Sequence, residues 1–484
     1  MATSAEPQVR NNAVLRASAE LRQFAEQMFA RAGGAPLVGG NAVRVLRDAG
    51  QNYPAWLSAI AGAQRSVLFE NYILADDATG REFVDVLTER ARAGVAVRLI
   101  YDWMGALGLG TRGLLQPLLE AGGQIRCFNR PRLDSPFGWL TRDHRKMVAV
   151  DSAIGYVTGL CVSDKWRGDP RRGIDPWRDT GIEIRGPAVA DIERAFAQTW
   201  AATGEGPLDI APVAAIAEGD VMLRVLASEP NLAGLYRLDQ MIAALARETL
   251  WLTDAYYVGI APYVQALRAA ARDGVDVRLL VPGTSDVPLV GQVSRSGYRP
   301  LLEAGIRVFE WNGAMLHAKT AVADGRWARV GSTNLNIASW IGNYELDVAI
   351  EDSGCGRIMQ DMYEDDLCNA TEIVLGPRHR VRRSAPAAAG RRATGSGGRA
   401  ARAAAGALRI GNTVGAAFSN RRMLGPAESG MMFSVALGFL GFAVVALLLP
   451  RAVTVPLVLL ALWIGVTLLV RAWRIRKGRV DDEG

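Results

Sequence analysis

Histidine is almost missing from this chain, with three in 484 residues, and lysine is scarcely commoner, with four against a large excess of arginine. Scarcity makes position informative: His144, Lys146, His317 and Lys319 take up two of the three histidines and two of the four lysines. The four cysteines, Cys127, Cys161, Cys355 and Cys368, form no CxxC or other metal-ligand spacing. That excludes a zinc finger or ribbon and fits free buried thiols in a reducing compartment. Residues 1 to 12 are polar and lack the apolar core of a signal peptide, and Ala13 to Ala32 read as an amphipathic helix packed on the first domain. No acidic residue occurs from Pro377 to Ala427, and no apolar run long enough to span a bilayer occurs before Met431.

What is present begins with two related octets. His144-Arg-Lys146-Met-Val-Ala-Val-Asp151 and His317-Ala-Lys319-Thr-Ala-Val-Ala-Asp324 share a histidine, a lysine two residues on and an aspartate five beyond. In an extended segment residues i and i+2 share a face, so each His–Lys pair projects into one site. An imidazole there can attack phosphorus or pass a proton, and the ammonium can hold phosphate oxygens. Met147 to Val150 and Thr320 to Ala323 read as buried strand. Asp151 and Asp324 read as structural partners of nearby backbone or arginine.

The octets resemble the HxKxxxxD motifs of the phospholipase D superfamily. Their surroundings, Glu70-Asn-Tyr72, Trp177-Arg-Asp179-Thr and Asn343-Tyr-Glu345, are most similar to the bacterial cardiolipin synthase branch. The similarity runs from about residue 50 to 375 and is fuller in the second half. It implies catalytic roles for His144, Lys146, His317 and Lys319, with His144 as nucleophile and His317 as general acid, then base; the near-equivalence of the motifs leaves the reverse open. It places Gly331, Ser332 and Asn334 on the substrate phosphate, and makes Asp179 and Glu345 the acids that orient imidazoles. The first half departs from the pattern at Thr158-Gly-Leu-Cys161, where a thiol stands at the phosphate-binding amide position.

The rest of the chain fits a duplication. Arg92-Ala-Gly-Val-Ala-Val-Arg-Leu99 returns as Arg272-Asp-Gly-Val-Asp-Val-Arg-Leu279, and Pro117-Leu-Leu-Glu-Ala-Gly122 as Pro300-Leu-Leu-Glu-Ala-Gly305. Strand and helix patterns alternate (strands near 67–73, 95–101 and 124–128, helices near 80–93 and 115–120), which predicts a largely parallel sheet covered by helices. The expected fold class is α/β: two phospholipase D-like αβα sandwich domains related by a pseudo-two-fold, plus a C-terminal two-helix transmembrane hairpin. The expected organisation is a helical extension over 1–40, domains over 41–205 and 206–376, a basic disordered linker over 377–430, the hairpin over 431–472 and a tail over 473–484. Thr203 to Asp220 reads as the connection between the domains, and the glycines from Gly105 to Gly110 as an ordinary loop rather than a phosphate cradle. His379 falls in the basic linker and reads as solvated.

The hairpin comprises Met431–Leu449 and Ala452–Val470 split at Pro450-Arg451, with arginines outside both ends. The positive-inside rule then puts the catalytic part on the cytoplasmic side of an inner membrane. A net charge of +6 and a pI near 9.3 favour polyanionic partners. The expected activity is a membrane-anchored phosphatidyltransferase working through a phosphohistidine on phosphatidylglycerol or another anionic lipid. The alternatives are a hydrolase using water and a non-catalytic lipid-binding scaffold. No aromatic-lined groove for nucleic acid is evident. No cofactor is expected, and no metal, since no carboxylate cluster suits Mg²⁺ and lysines already supply positive charge. Oligomeric state is not legible.

Overall fold

A computed structural model describes residue 23 and residues 25–375 apart from 107–110, 131–139, 205, 209 and 211–215. It also describes 381–383 and the helical stretch 437–481 apart from 438, 439 and 445. The first half contributes β1 (Val38–Arg47), β2 (Ser66–Asn71), β3 (Ala96–Asp102), β4 (Gln124–Phe128), β5 (Lys146–Val150), β6 (Ile154–Thr158) and β7 (Thr180–Arg185). The second contributes β8 (Val221–Ser228), β9 (Thr249–Thr253), β10 (Asp276–Pro282), β11 (Arg307–Trp311), β12 (Thr320–Ala323), β13 (Trp327–Gly331) and β14 (Glu345–Glu351). Outward from the seam between β1 and β8, the order is β7-β6-β5-β2-β3-β4 on one side and β14-β13-β12-β9-β10-β11 on the other. The duplication read from sequence is therefore a duplication of topology. At the seam only Val38–Leu223 and Asn41–Val221 pair, and the irregularity is plugged by Asn41, which donates to Val38 O and Val221 O.

The sheet is mixed rather than largely parallel. β2-β3-β4 and β9-β10-β11 are parallel, as the βα pattern requires, but β5, β6, β7 and their counterparts β12, β13, β14 run antiparallel. The cause is local: each octet ends in a tight hairpin. Asp151 and Ser152 (φ 55° and 54°) and Asp324 and Gly325 (φ 51° and 60°) adopt left-handed conformations that open three-residue turns between the paired Val150 and Ile154 and between the paired Ala323 and Trp327. The Asp of each octet caps the first strand of its half's parallel unit. Asp151 accepts from the backbone N–H of Gln64, Arg65 and Ser66 at 2.7–2.8 Å, and Asp324 from those of Arg247, Glu248 and Thr249 at 2.8–3.2 Å. Both contact backbone at strand starts, away from the His–Lys end of the octet.

Helices Asp48–Ala61 and Ala78–Arg92 cover one face of the first half around Trp56, Phe83 and Leu99. Helices Gly234–Leu245 and Ala261–Arg272 do the same in the second around Leu238, Leu267 and Leu279. The remaining faces meet each other: Val157, Ile182 and Ile184 share a core with Val330, Leu346 and Val348. Strands such as Lys146–Val150 and Trp327–Gly331 are buried on both faces and along their whole length. A buried ion pair pins the same interface, since Arg178 of the first half donates to both oxygens of Asp366 on helix Ser353–Cys368 of the second.

Outside the two halves, residues 25–33 are helical and dock on the second half rather than on the first domain as expected, because Glu26 pairs with the buried Arg224 of β8 and Phe29 packs against the second-half core. Residues 1–22 of the expected extension lie outside the described residues. Within the basic segment, Val381–Arg383 forms β16, which pairs with β15 (Ala370–Leu375) at the sheet edge, so this short piece is not the featureless linker expected. His379 and the remainder of 377–430 lie outside the described residues, as do 107–110 of the glycine loop. Among the described residues no single helix is long and apolar enough to cross a membrane, but Leu440–Leu448 and Pro450–Trp463, bent by 115°, pass that test as a pair. All four cysteines are free thiols; Cys161 and Cys355 are buried, Cys127 is half-buried, and Cys368 is exposed rather than buried.

Candidate active site

Each octet enters its strand from the cleft between the halves, and the partner half supports it there. The backbone N–H of His144 donates to Tyr344 O at 2.9 Å, and that of His317 donates to Arg178 O at 2.7 Å. These bridges bring each histidine beside the acid next along the chain from its support: His144 Nδ1 lies 2.9 Å from Glu345 Oε2, and His317 Nδ1 lies 2.7 Å from Asp179 Oδ2. The pairing is crossed, so the acid of one half serves the histidine of the other. Asp179 and Glu345 are the two acids that the family resemblance assigns to imidazoles; which acid meets which ring is not specified by sequence.

The intervening residue of the first octet points away, as strand alternation demands. Arg145 is buried and donates to Ala195 O, Thr199 Oγ1, Ser228 O and Glu345 O, tying first-half helix Val189–Ala202 to the second half. The lysines lie with their histidines. Lys146 Nζ donates to His144 O at 2.5 Å, and Lys319 Nζ stands 2.9 and 3.0 Å from the two ring nitrogens of His317. Tyr72 places its ring 5.0 Å from that of His144, and Tyr256 its ring 5.8 Å from that of His317.

Electrostatics links the two octets into one site. Burial and the neighbouring Lys319 push His317 down to about 4, and Lys146 of the other octet adds to the depression. Burial likewise brings Lys319 down to about 8, with Lys146 again contributing. A lysine that perturbs both members of the opposite pair lies close enough to be felt there. Burial opposes ionisation of Asp179, yet His317, Lys319 and the Trp166 indole N–H (2.9 Å to Oδ2) more than offset it, so the carboxyl is held below its ordinary range. Glu345 shows the opposite balance. Burial pushes it up to about 7 despite Lys146 and the hydroxyl of Ser332, which donates to Oε2 at 2.6 Å.

The two phosphate-side loops differ in the groups they present. Gly331, Ser332 and Asn334 lie at the end of β13, and Thr158, Gly159 and Cys161 at the end of β6 in the equivalent place. A Cβ on Gly331 would lie 2.3 Å from Asp347 Oδ1, and one on Gly159 would lie 2.2 Å from Asp179 Oδ1, so glycine is required at both. Asn334 is buried, with Nδ2 3.5 Å from Ser339 Oγ and Oδ1 unpartnered, an amide with hydrogen-bonding capacity to spare. Cys161 is buried, burial raises its thiol, and both Lys146 and Lys319 act on it. It therefore sits near both lysines as a neutral, weakly bonding group. Trp166 and Tyr256 are site residues that the sequence did not single out. Trp166 has no signal beyond its place soon after the loop, whereas Tyr256 repeats Tyr72. No group of histidine, cysteine and carboxylate side chains able to hold a metal occurs among the described residues.

The chain is similar to known proteins over most of its length. A family model described as "Cardiolipin synthase, PLD-like domain" matches residues 56–200 and 239–366. The chain is 34% identical over 354 residues to cardiolipin synthase A of Pseudomonas aeruginosa, covering 72% of this chain and 71% of that one. It is 31% identical over 349 residues to cardiolipin synthase of Alkalihalophilus pseudofirmus, covering 70% and 68%. Among solved structures, a phosphatidylserine synthase from Haemophilus influenzae superposes with a TM-score of 0.54 at 12% identity, over 71% of this chain and 91% of that one, a likeness of fold.

Proposed function

The chain belongs to the phospholipase D-like cardiolipin synthase family, and from that premise we propose that the cleft between its halves moves a phosphatidyl group from one alcohol to another through a phosphohistidine. Phosphatidyltransfer is the activity of the family; the residue roles are our reading. His144 Nε2 attacks the phosphorus of a phospholipid, the bond from phosphorus to the head-group oxygen breaks, and His317 delivers its Nε2 proton to that oxygen. An acceptor hydroxyl then gives its proton to His317 and attacks from the opposite side, breaking the P–N bond. Phosphatidylglycerol as acceptor yields cardiolipin, and water yields phosphatidic acid. Lys146, Lys319 and Asn334 hold the phosphoryl oxygens, while Glu345 and Asp179 hold each imidazole by Nδ1 so that Nε2 faces phosphorus.

The crossed pair of histidine–carboxylate contacts carries this reading, because in-line displacement needs one imidazole on each side of the phosphorus. A bound phosphodiester brings a negative charge between Lys146 and Lys319 and raises His317 from its low value, which equips it to donate. The low value itself favours a second assignment, in which neutral His317 is the nucleophile. Mass spectrometry of the intermediate, quenched and kept at alkaline pH, locates the phosphoryl group on one histidine or the other. Incubating the protein with labelled phosphatidylglycerol tests the function: glycerol release with cardiolipin is expected, and phosphatidic acid alone refutes transfer.

The apolar C-terminal segments support a membrane anchor, with the basic residues around them favouring the cytoplasmic side for the catalytic halves. Carbonate extraction of the full chain and of a form ending at residue 383 checks this: only the full chain is expected to stay in the membrane.

A further inference from the structure

The cleft is built to grip anions, yet one exposed carboxylate stands at its second-half mouth. Asp286 lies in the loop 283–287, between β10 and helix Pro288–Ser296, and accepts a hydrogen bond from Tyr256 OH at 2.7 Å. The Tyr256 ring is edge-on to His317 at 5.8 Å, with Lys319 Nζ 5.8 Å from its centroid. Asp286 is thus one tyrosine's length from the reacting imidazole. Among the described residues no lysine or arginine forms a salt bridge with it, and Ser285 Oγ braces the loop by accepting from Val287 N–H.

Among the described residues the first half offers no equivalent. Tyr72 sits beside His144, but the nearby carboxylate there is Asp102, which is buried and already paired with Arg142 at 3.0 Å. Among the described residues, therefore, the tyrosine beside His317 is joined to an exposed carboxylate, whereas the carboxylate near the tyrosine beside His144 is buried and paired. Such a carboxylate repels a phosphodiester but accepts strongly from alcohol hydroxyls. A polyol needs such a partner, since its second hydroxyl loses water on entering the cleft.

We propose that Tyr256 and Asp286 form the subsite for the polyol part of the acceptor alcohol, taking the hydroxyl next to the one that attacks. This rests on the transferase reading and deepens it. His317 receives the proton of the attacking hydroxyl, while Asp286 accepts from the neighbouring hydroxyl and Tyr256 OH bridges the two. A monohydric alcohol or water makes no use of the pair.

The test uses the full chain in phosphatidylglycerol–phosphatidylcholine vesicles with labelled glycerol and ethanol competing as acceptors, cardiolipin being measured alongside. Asp286→Ala and Tyr256→Phe are expected to lower the ratio of glycerol exchange to phosphatidylethanol about tenfold, the size of one lost hydrogen bond to a charged group. Cardiolipin falls in parallel, because the lipid-borne glycerol uses the same subsite as the free polyol. Asp286→Asn, which keeps volume and one acceptor, is expected to lie between. An unchanged ratio in an active transferase, or equal loss of both products, overturns the subsite alone. Unsubstituted protein that forms only phosphatidic acid overturns the transferase reading and removes the subsite's occupant with it.

Discussion

Replacing Asp179 with asparagine changes one atom and should nearly abolish turnover. Three donors converge on this carboxylate: His317 Nδ1 at 2.7 Å and Trp166 Nε1 at 2.9 Å on Oδ2, and Thr180 N–H at 2.8 Å on Oδ1. Asparagine has one acceptor oxygen, and its amide hydrogens must face a former donor. If the amide faces His317, Nδ1 becomes the acceptor and the proton moves to Nε2, where a base needs its lone pair. If it faces Thr180, a buried N–H is left against an N–H. In the first outcome the indole N–H of Trp166 is left against the amide as well, so either orientation costs one buried donor, and both remove the negative charge that holds the imidazole. The expected loss is about 10³–10⁴-fold in kcat, or about 4–5.5 kcal/mol of transition-state stabilisation. The substituted protein should still bind phosphatidylglycerol vesicles and melt cooperatively. A residual rate within tenfold of the unsubstituted enzyme, measured as glycerol release, would refute the orienting role.

The same contacts set other outcomes. Glu345, raised from 4.5 to about 7 by burial, favours the protonated form of the fold, so its contribution is complete below its unfolded value and is lost as pH rises from about 4.5 through 7. Glu345→Gln should therefore be more stable than the unsubstituted protein at pH 8, by on the order of 3 kcal/mol, with little difference at pH 4, although it loses activity; thermal melts at the two pH values check the sign. Cys161→Asn places an amide at the first phosphate loop and should raise kcat several-fold, whereas Cys161→Ala should change it little, by initial rates on phosphatidylglycerol. Arg178→Met leaves Asp366 buried without its main partner and should cost about 3–5 kcal/mol in stability, read by denaturant unfolding.

The His–Lys octets are legible because the chain has so few residues of either type, and the capping role of Asp151 and Asp324 is consistent with their place after a buried strand. The repeated Arg-x-Gly-Val-x-Val-Arg-Leu segments carry the duplication directly. The antiparallel strands after each octet escape the sequence reading although Asp324-Gly325 is a strong hairpin signal; the βα alternation upstream outweighs it. The crossed pairing cannot be read at all. His317 and Asp179 are 138 residues apart, and His144 and Glu345 are 201, and only the packing of one half on the other decides which acid meets which imidazole. Trp166 and Asp286 are invisible for the same reason: each acquires its meaning from a contact across a loop, not from spacing.

Crossing the acids has a consequence for how the halves share labour. Were each half an independent site, removing one histidine would leave the other working and about half the activity would survive. In a single site the two imidazoles serve successive steps on one phosphorus, and losing either stops the cycle. His144→Ala and His317→Ala are therefore each expected to be as inactive as the double substitution, while both proteins stay folded and membrane-associated. The acids extend the argument, because Asp179 lies in the first half and acts on the second. Asp179→Asn combined with His317→Ala should be no worse than His317→Ala alone. Combined with His144→Ala it should also add nothing, since that variant already cannot complete a turnover. Half-maximal glycerol release from either single histidine variant would mean two separate clefts, and the shared-phosphorus mechanism would fall with it.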